Sequence, residues 1–137
     1  MIFEATSDGW LELGRGRRVR CALGHGGGPQ TALETRAIMP DEGWCDAPED
    51  PRYNQPVRLP YPASAERLWR DDRLYDLVLV LGHNDDPVVP YLGSAIFLHL
   101  ASPDYRPTEG CVALRRPDLE ALLRSAKPGD ALRIAEA

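Results

Sequence analysis

The chain has 137 residues and a mass of 15.2 kDa, enough for one domain that buries roughly 65–70% of its unfolded surface and too little for a second catalytic domain. Hydrophobic residues at 43%, charged residues at 27% and a net charge of -5 exclude a disordered or fibrous chain and argue against nucleic acid as a partner. The longest apolar stretches, residues 77–81 and 95–98, fall far short of the ~20 residues of a membrane-spanning helix.

At the N-terminus, Glu4, Asp8 and Glu12 interrupt any apolar core of the kind a secretory leader needs. The expectation is that a leader was removed or that the protein acts where it is made. Residues 10–13 and 17–23 read as an antiparallel hairpin turned at Gly14-Arg15-Gly16, with Val19 and Cys21 alternating with Arg18 and Arg20. The Arg15–Arg20 cluster is then the wet face of a strand. Gly24-His25-Gly26-Gly27-Gly28-Pro29 reads as a flexible connection; it lacks the frame of a phosphate-binding loop.

Between residues 40 and 62 six prolines alternate with acidic residues, which predicts an extended surface loop with neither a central strand nor a long helix. Trp44, Tyr53 and Tyr61 pack that loop onto the body. Residues 63–70 read as a short helix capped by Ser64. Residues 75–81 read as a strand buried on both faces, and residues 94–100 as a second core strand carrying His99. A strand at residues 111–114 leads into a helix over residues 117–125, with Pro117, Asp118 and Glu120 at its start and Leu119, Leu122 and Leu123 as its inner stripe. Residues 131–135 return as a last strand.

The cysteines, Cys21, Cys45 and Cys111, are too far apart for a CxxC metal or redox motif. Cys45 reads as packing beside Trp44, with a bridge to Cys21 as the alternative. The informative pair is Cys111, after Gly110, and His99, inside an apolar strand. An imidazole can take the thiol proton, and a thiolate is the nucleophilic form of cysteine. Gly110 allows a tight turn that leaves main-chain N–H groups facing an oxyanion. On spacing alone the alternative stays open that Cys111 and His99 are simply core residues. His83-Asn84-Asp85-Asp86 offers nitrogen and oxygen ligands without a second cluster to complete a metal site, so no metal is expected there.

The stretch Thr108-x-Gly110-Cys111-Val112-x-Leu114-x-x-x-Asp118, preceded by a strand ending in His99, resembles the L,D-transpeptidase (YkuD-like) signature [ST]-x-G-C-[IV]-R-[ML]-x-x-x-D. The resemblance runs from about residue 40 to residue 123. It departs at Ala113, where the family has Arg, and at Leu100, where many members have Gly. Eleven residues separate His99 from Cys111, and the Gly-Asp-Gly-x-Thr-Pro segment of the family is absent.

What the resemblance implies is a single mostly β domain over residues 1–137, an L,D-transpeptidase-type β-sandwich with two short helices. It implies Cys111 as nucleophile, His99 as general base, Gly110 and Thr108 at the oxyanion hole and loop wall, and a peptidoglycan stem peptide as substrate, with no metal or organic cofactor. With Ala113 in place of Arg, the substrate-binding candidates are Arg115 and Arg116, together with His83 and Asn84. A cysteine L,D-carboxypeptidase or amidase, and a non-catalytic peptidoglycan-binding member, are the alternative functions. The chain is expected to be a monomer, and its substrate class implies the periplasm or cell envelope.

Overall fold

The computed structural model describes residues 10–12, 18–22, 31–108, 110–127 and 130–133. In chain order the elements are β1 (Trp10–Glu12), β2 (Arg18–Ala22), β3 (Glu34–Ile38), β4 (Glu42–Cys45), β5 (Pro56–Arg58), β6 (Ala65–Arg67), β7 (Leu77–Val80), β8 (Phe97–Leu100), β9 (Val112–Leu114), α1 (Arg116–Ser125) and β10 (Ala131–Arg133). A five-stranded sheet in the order β3-β2-β7-β8-β9 carries the core, a three-stranded sheet β5-β4-β6 covers part of it, and β1 pairs with β10.

The two apolar runs became central strands because they bury both faces, and their alternation decides which layer each side chain joins. Leu77 and Leu79 of β7, Leu98 and Leu100 of β8 and Val112 of β9 point to one side and meet Leu119 and Leu123 of α1. Val78, Val80 and Phe97 point to the other side and meet Trp44, Leu68 and Tyr75. Trp44 and Tyr75 approach Phe97 edge to face, at centroid distances of 5.2 and 5.9 Å. Each fully buried side chain of this size contributes roughly 1.5–3 kcal/mol. The layers are therefore helix, large sheet, small sheet.

Helix α1 forms where the sequence places it. Pro117 and Asp118 lie in its first turn, Leu119 and Leu123 are fully buried one turn apart, and the chain leaves at Ala126, whose N–H still donates to the Leu122 carbonyl.

Three sequence expectations are corrected. The N-terminal strands do not form a hairpin: β1 pairs with β10, and β2 lies between β3, to which it runs parallel, and β7. Backbone pairing with distant strands outweighs the local turn, and that turn, like the Gly24–Pro29 connection and the end of the last predicted strand, lies outside the described residues. Residues 40–62 are not one loop, because β4 is the fully buried central strand of the small sheet. The prolines permit this by keeping out of β4; Pro56 opens β5, an edge strand, where its missing N–H costs no central ladder bond. Residues 63–70 form no helix. Their apolar residues Leu68 and Trp69 are adjacent and define no helical stripe, whereas Ala65, Glu66 and Arg67 pair with Cys45, Trp44 and Gly43 of β4. The structure thus has one of the two expected helices.

The small sheet is fastened to the large one through Asn54, a buried residue at φ +57°, a conformation Asn tolerates better than most residues. Its Oδ1 accepts from the Trp44 indole Nε1–H at 3.0 Å and the Ala95 N–H at 3.3 Å, while its Nδ2 donates to the His83 and Asn84 carbonyls at 3.0 and 2.6 Å. Cys45 is a free buried thiol, so no bridge to Cys21 forms. Replacing Asn54 by Ala leaves two buried donors and two carbonyls without their partner and puts a Cβ-bearing residue in the left-handed region. Urea denaturation is expected to show a loss of about 3 kcal/mol, with Asn54→Gly losing less because it keeps the backbone conformation.

Candidate active site

The site is built by the register of two parallel strands. His99 of β8 lies opposite Ala113 of β9, and Leu98 opposite Val112. Paired residues share a face and faces alternate, so Cys111, two positions before Ala113, projects to the same side of the sheet as His99. That side faces the small sheet. Gly110 enters the strand at φ +76°, where a Cβ-bearing residue would be strained, and a Cβ there would also lie 3.4 Å from Ile96.

Cys111 and His99 line one cleft of about 510 Å³. Glu66, Arg70, Asp72 and Tyr75 form one side of its lining, and Ser102, Arg106 and Thr108 of the 102–108 loop another. The Thr108 hydroxyl donates to the Cys111 carbonyl and so ties this loop to the start of β9. The charged groups are mostly committed. Arg70 makes a forked bond to Asp72, at 3.0 Å from Nε and 2.5 Å from Nη2, and its guanidinium lies 4.9 Å above the Tyr75 ring. The Tyr75 hydroxyl donates to Glu66. Arg106 reaches Asp104 at 3.3 Å on the exposed rim.

The cysteine and the histidine are both nearly buried, each 5% exposed. The Cys111 thiol donates to the Ala95 carbonyl at 3.2 Å, and Ala95 is itself held at φ +58° with its N–H on Asn54. Burial pushes the Cys111 thiol up to about 11; a Phe97 main-chain N–H acts the other way, and Glu66 adds to the rise. His99 donates its Nδ1–H to the Leu100 carbonyl at 2.8 Å. A carbonyl can only accept, so the proton is on Nδ1 and Nε2 carries the lone pair. Nε2 makes no hydrogen bond to a described residue. Burial, opposed by the bond to the Leu100 carbonyl, lowers the His99 pKa. Both shifts favour the uncharged forms, a thiol and an imidazole, over a thiolate–imidazolium pair. An imidazole with its lone pair at Nε2 is the form that can accept a proton.

Of the residues singled out from the sequence, the structure brings together Cys111, His99, Thr108 and Gly110. It places the four substrate-binding candidates elsewhere. His83 meets the Leu92 carbonyl through Nε2 at 2.8 Å, with Nδ1 buried and unpartnered. Asn84 uses its side chain to close the following turn on Val89 and Gly93. Arg115 lies 4.9 Å over the Tyr105 ring, and Arg116 pairs with Glu120 and faces Asp76. None of the four lines the cleft. The guanidinium groups that do line it, Arg70 and Arg106, stand far from Cys111 in the chain or outside its motif. No local pattern marks them, because the cleft draws on three separate segments. Among the described residues no group of three His, Cys, Asp or Glu side chains is placed to hold a metal ion, and no helix is long and apolar enough to cross a membrane.

Comparison with protein families gives one finding: the model of the L,D-transpeptidase catalytic domain, YkuD, matches residues 8–134, nearly the whole chain. Comparison with curated proteins and with solved structures gives no match.

The raised thiol pKa makes stability depend on pH. The unfolded chain loses the Cys111 proton near the ordinary value of 9.0, the folded one near 11. Between these the unfolded state binds fewer protons, so stability is complete below pH 9 and falls as pH rises toward 11, by roughly 2–3 kcal/mol from this group. In urea titrations from pH 7 to 11 the wild type is expected to lose this increment relative to Cys111→Ala, which has no thiol to ionise.

Proposed function

The chain belongs to the L,D-transpeptidase catalytic-domain family, and on that footing we propose that it is a cysteine acyltransferase acting on peptidoglycan stem peptides, with Cys111 as nucleophile and His99 as general base. The observation that carries this reading is the strand register that sets thiol and imidazole on one face of one cleft.

In the proposed reaction the Cys111 sulfur attacks the carbonyl of the diaminopimelate residue that is linked to a terminal D-alanine. As the S–C bond forms, the thiol proton passes to His99 Nε2, whose lone pair is available because Nδ1 is committed to the Leu100 carbonyl. A neutral resting pair suits this order of events, since charge is created only as the bond forms. The main-chain N–H groups of Gly110 and Cys111 are assigned to the oxyanion, with the glycine conformation and the Thr108 tie supporting that loop. The imidazolium then returns its proton to the departing D-alanine amine, and a thioester remains on Cys111. An amine acceptor, deprotonated by His99, attacks the thioester carbonyl, the C–S bond breaks, and the sulfur takes the proton back from His99, restoring the thiol; water in place of the amine gives hydrolysis. Thiol, imidazole and oxyanion donors suffice for these steps, and none calls on Arg115 or Arg116.

Incubation with a tetrapeptide donor is expected to add the donor mass less D-alanine to the intact protein, on Cys111 and not in Cys111→Ala. His99→Ala is expected to slow adduct formation by about 10²–10⁴-fold. Cross-linked dimers among the products of purified muropeptides identify transfer, shortened monomers identify hydrolysis, and absence of any adduct in the wild type would falsify the acyl-enzyme reading.

A further inference from the structure

His99 is anchored at one atom by its own backbone, and one bond does not hold a ring in one plane. The second restraint comes from outside its strand. The Tyr75 ring lies 5.1 Å from the imidazole, tilted by 58°. Tyr75 is 4% exposed and is fixed from several directions. Its hydroxyl donates to Glu66, Phe97 meets it edge to face at 88°, and the Arg70 guanidinium sits over its ring. Arg70 is in turn held by the forked bond to Asp72. The two residues are also pinned through their neighbours, since the Leu100 N–H donates to the Leu74 carbonyl at 3.1 Å. The same Leu100 unit therefore takes the imidazole Nδ1–H on its carbonyl and the Tyr75 segment on its amide.

We propose that Tyr75 is the positioning residue of this site: its ring walls the His99 imidazole into the one orientation in which Nδ1 meets the Leu100 carbonyl and Nε2 is left for the thiol proton. The inference rests on His99 acting as the base and adds what holds it there. The hydroxyl bond to Glu66 and the Arg70 cover serve to hold the ring, so the aromatic face is the working part and the hydroxyl is secondary. Tyr75 exchanges no proton in this scheme.

The test separates ring from hydroxyl and has a readout apart from activity. Long-range ¹H–¹⁵N spectra of the three histidines, with His99 assigned through His99→Ala, are expected to show His99 as the single Nδ1–H tautomer in the wild type and in Tyr75→Phe. In Tyr75→Leu they are expected to show a tautomer mixture or exchange broadening. Thioester formation with the tetrapeptide donor should stay within about threefold in Tyr75→Phe and fall by about 10–100-fold in Tyr75→Leu, the scale of a catalytic group displaced by about 1 Å. An unchanged His99 spectrum and rate in a folded Tyr75→Leu would overturn the proposal. So would a Tyr75→Phe rate as low as that of Tyr75→Leu, which would make the hydroxyl the working part. Should Tyr75→Leu not fold, Tyr75→Met takes its place with the same spectrum and rate as readouts. A wild type that forms no thioester removes the acyl-transfer reading, while the spectra still decide whether Tyr75 orients the ring.

Discussion

The parallel pairing of β8 with β9 is the constraint on which the rest of this molecule depends. Its register puts His99 opposite Ala113 and so carries Cys111 to the face of the sheet that looks into the cleft. A slip of one residue would turn the sulfur toward α1 and bury it among Leu98, Leu119 and Leu123. Two left-handed residues guard the register at its open end. Gly110 turns the chain into β9, and Ala95 turns the chain before β8 so that its carbonyl meets the thiol. Local strain is accepted at Ala95 because Asn54 and Cys111 hold it from both sides.

The electrostatics follow from where that face points. The floor of the cleft is buried and so favours the uncharged thiol and imidazole, while the wall is built from the acidic and basic side chains Glu66, Arg70 and Asp72. The wall acts on the two floor groups with mixed signs. Arg70 lowers both pKa values, Glu66 raises that of Cys111 and Asp72 that of His99. Because Arg70 and Asp72 are joined in a forked pair, their effects on the imidazole largely oppose each other, and burial dominates. A thiol held in its neutral form is less open to alkylation and oxidation than a thiolate.

The small sheet gives the cleft its second side. β4 supplies Trp44 to the core and anchors Asn54, while its partner β6 leads directly into the segment that carries Arg70, Asp72 and Tyr75. Aromatic packing on Phe97 joins the two sheets directly beneath the site, since Phe97 and His99 share a face of β8. Core and site are thus continuous, and substitutions at Trp44, Asn54 or Phe97 act on both.

By itself the sequence determined the parts whose information is local: the two core strands around residues 77–80 and 97–100, the amphipathic helix behind them, and the motif from Thr108 to Asp118 with its cysteine. An apolar run with no polar face can only be buried, and a Leu119–Leu123 stripe after a proline can only be a helix against a core. Tertiary structure alone decided the strand partners of residues 10–12 and 18–22, the strand at residues 65–67 where a helix was expected, and the burial of β4 inside a proline-rich stretch. It also decided which cations line the cleft, Arg70 and Arg106, while Arg115 lies over Tyr105 and Arg116 pairs with Glu120. The physical reason is common to all of these: backbone ladders and charge pairs are made between segments tens of residues apart, and their free energy outweighs the weak local preferences that a sequence displays.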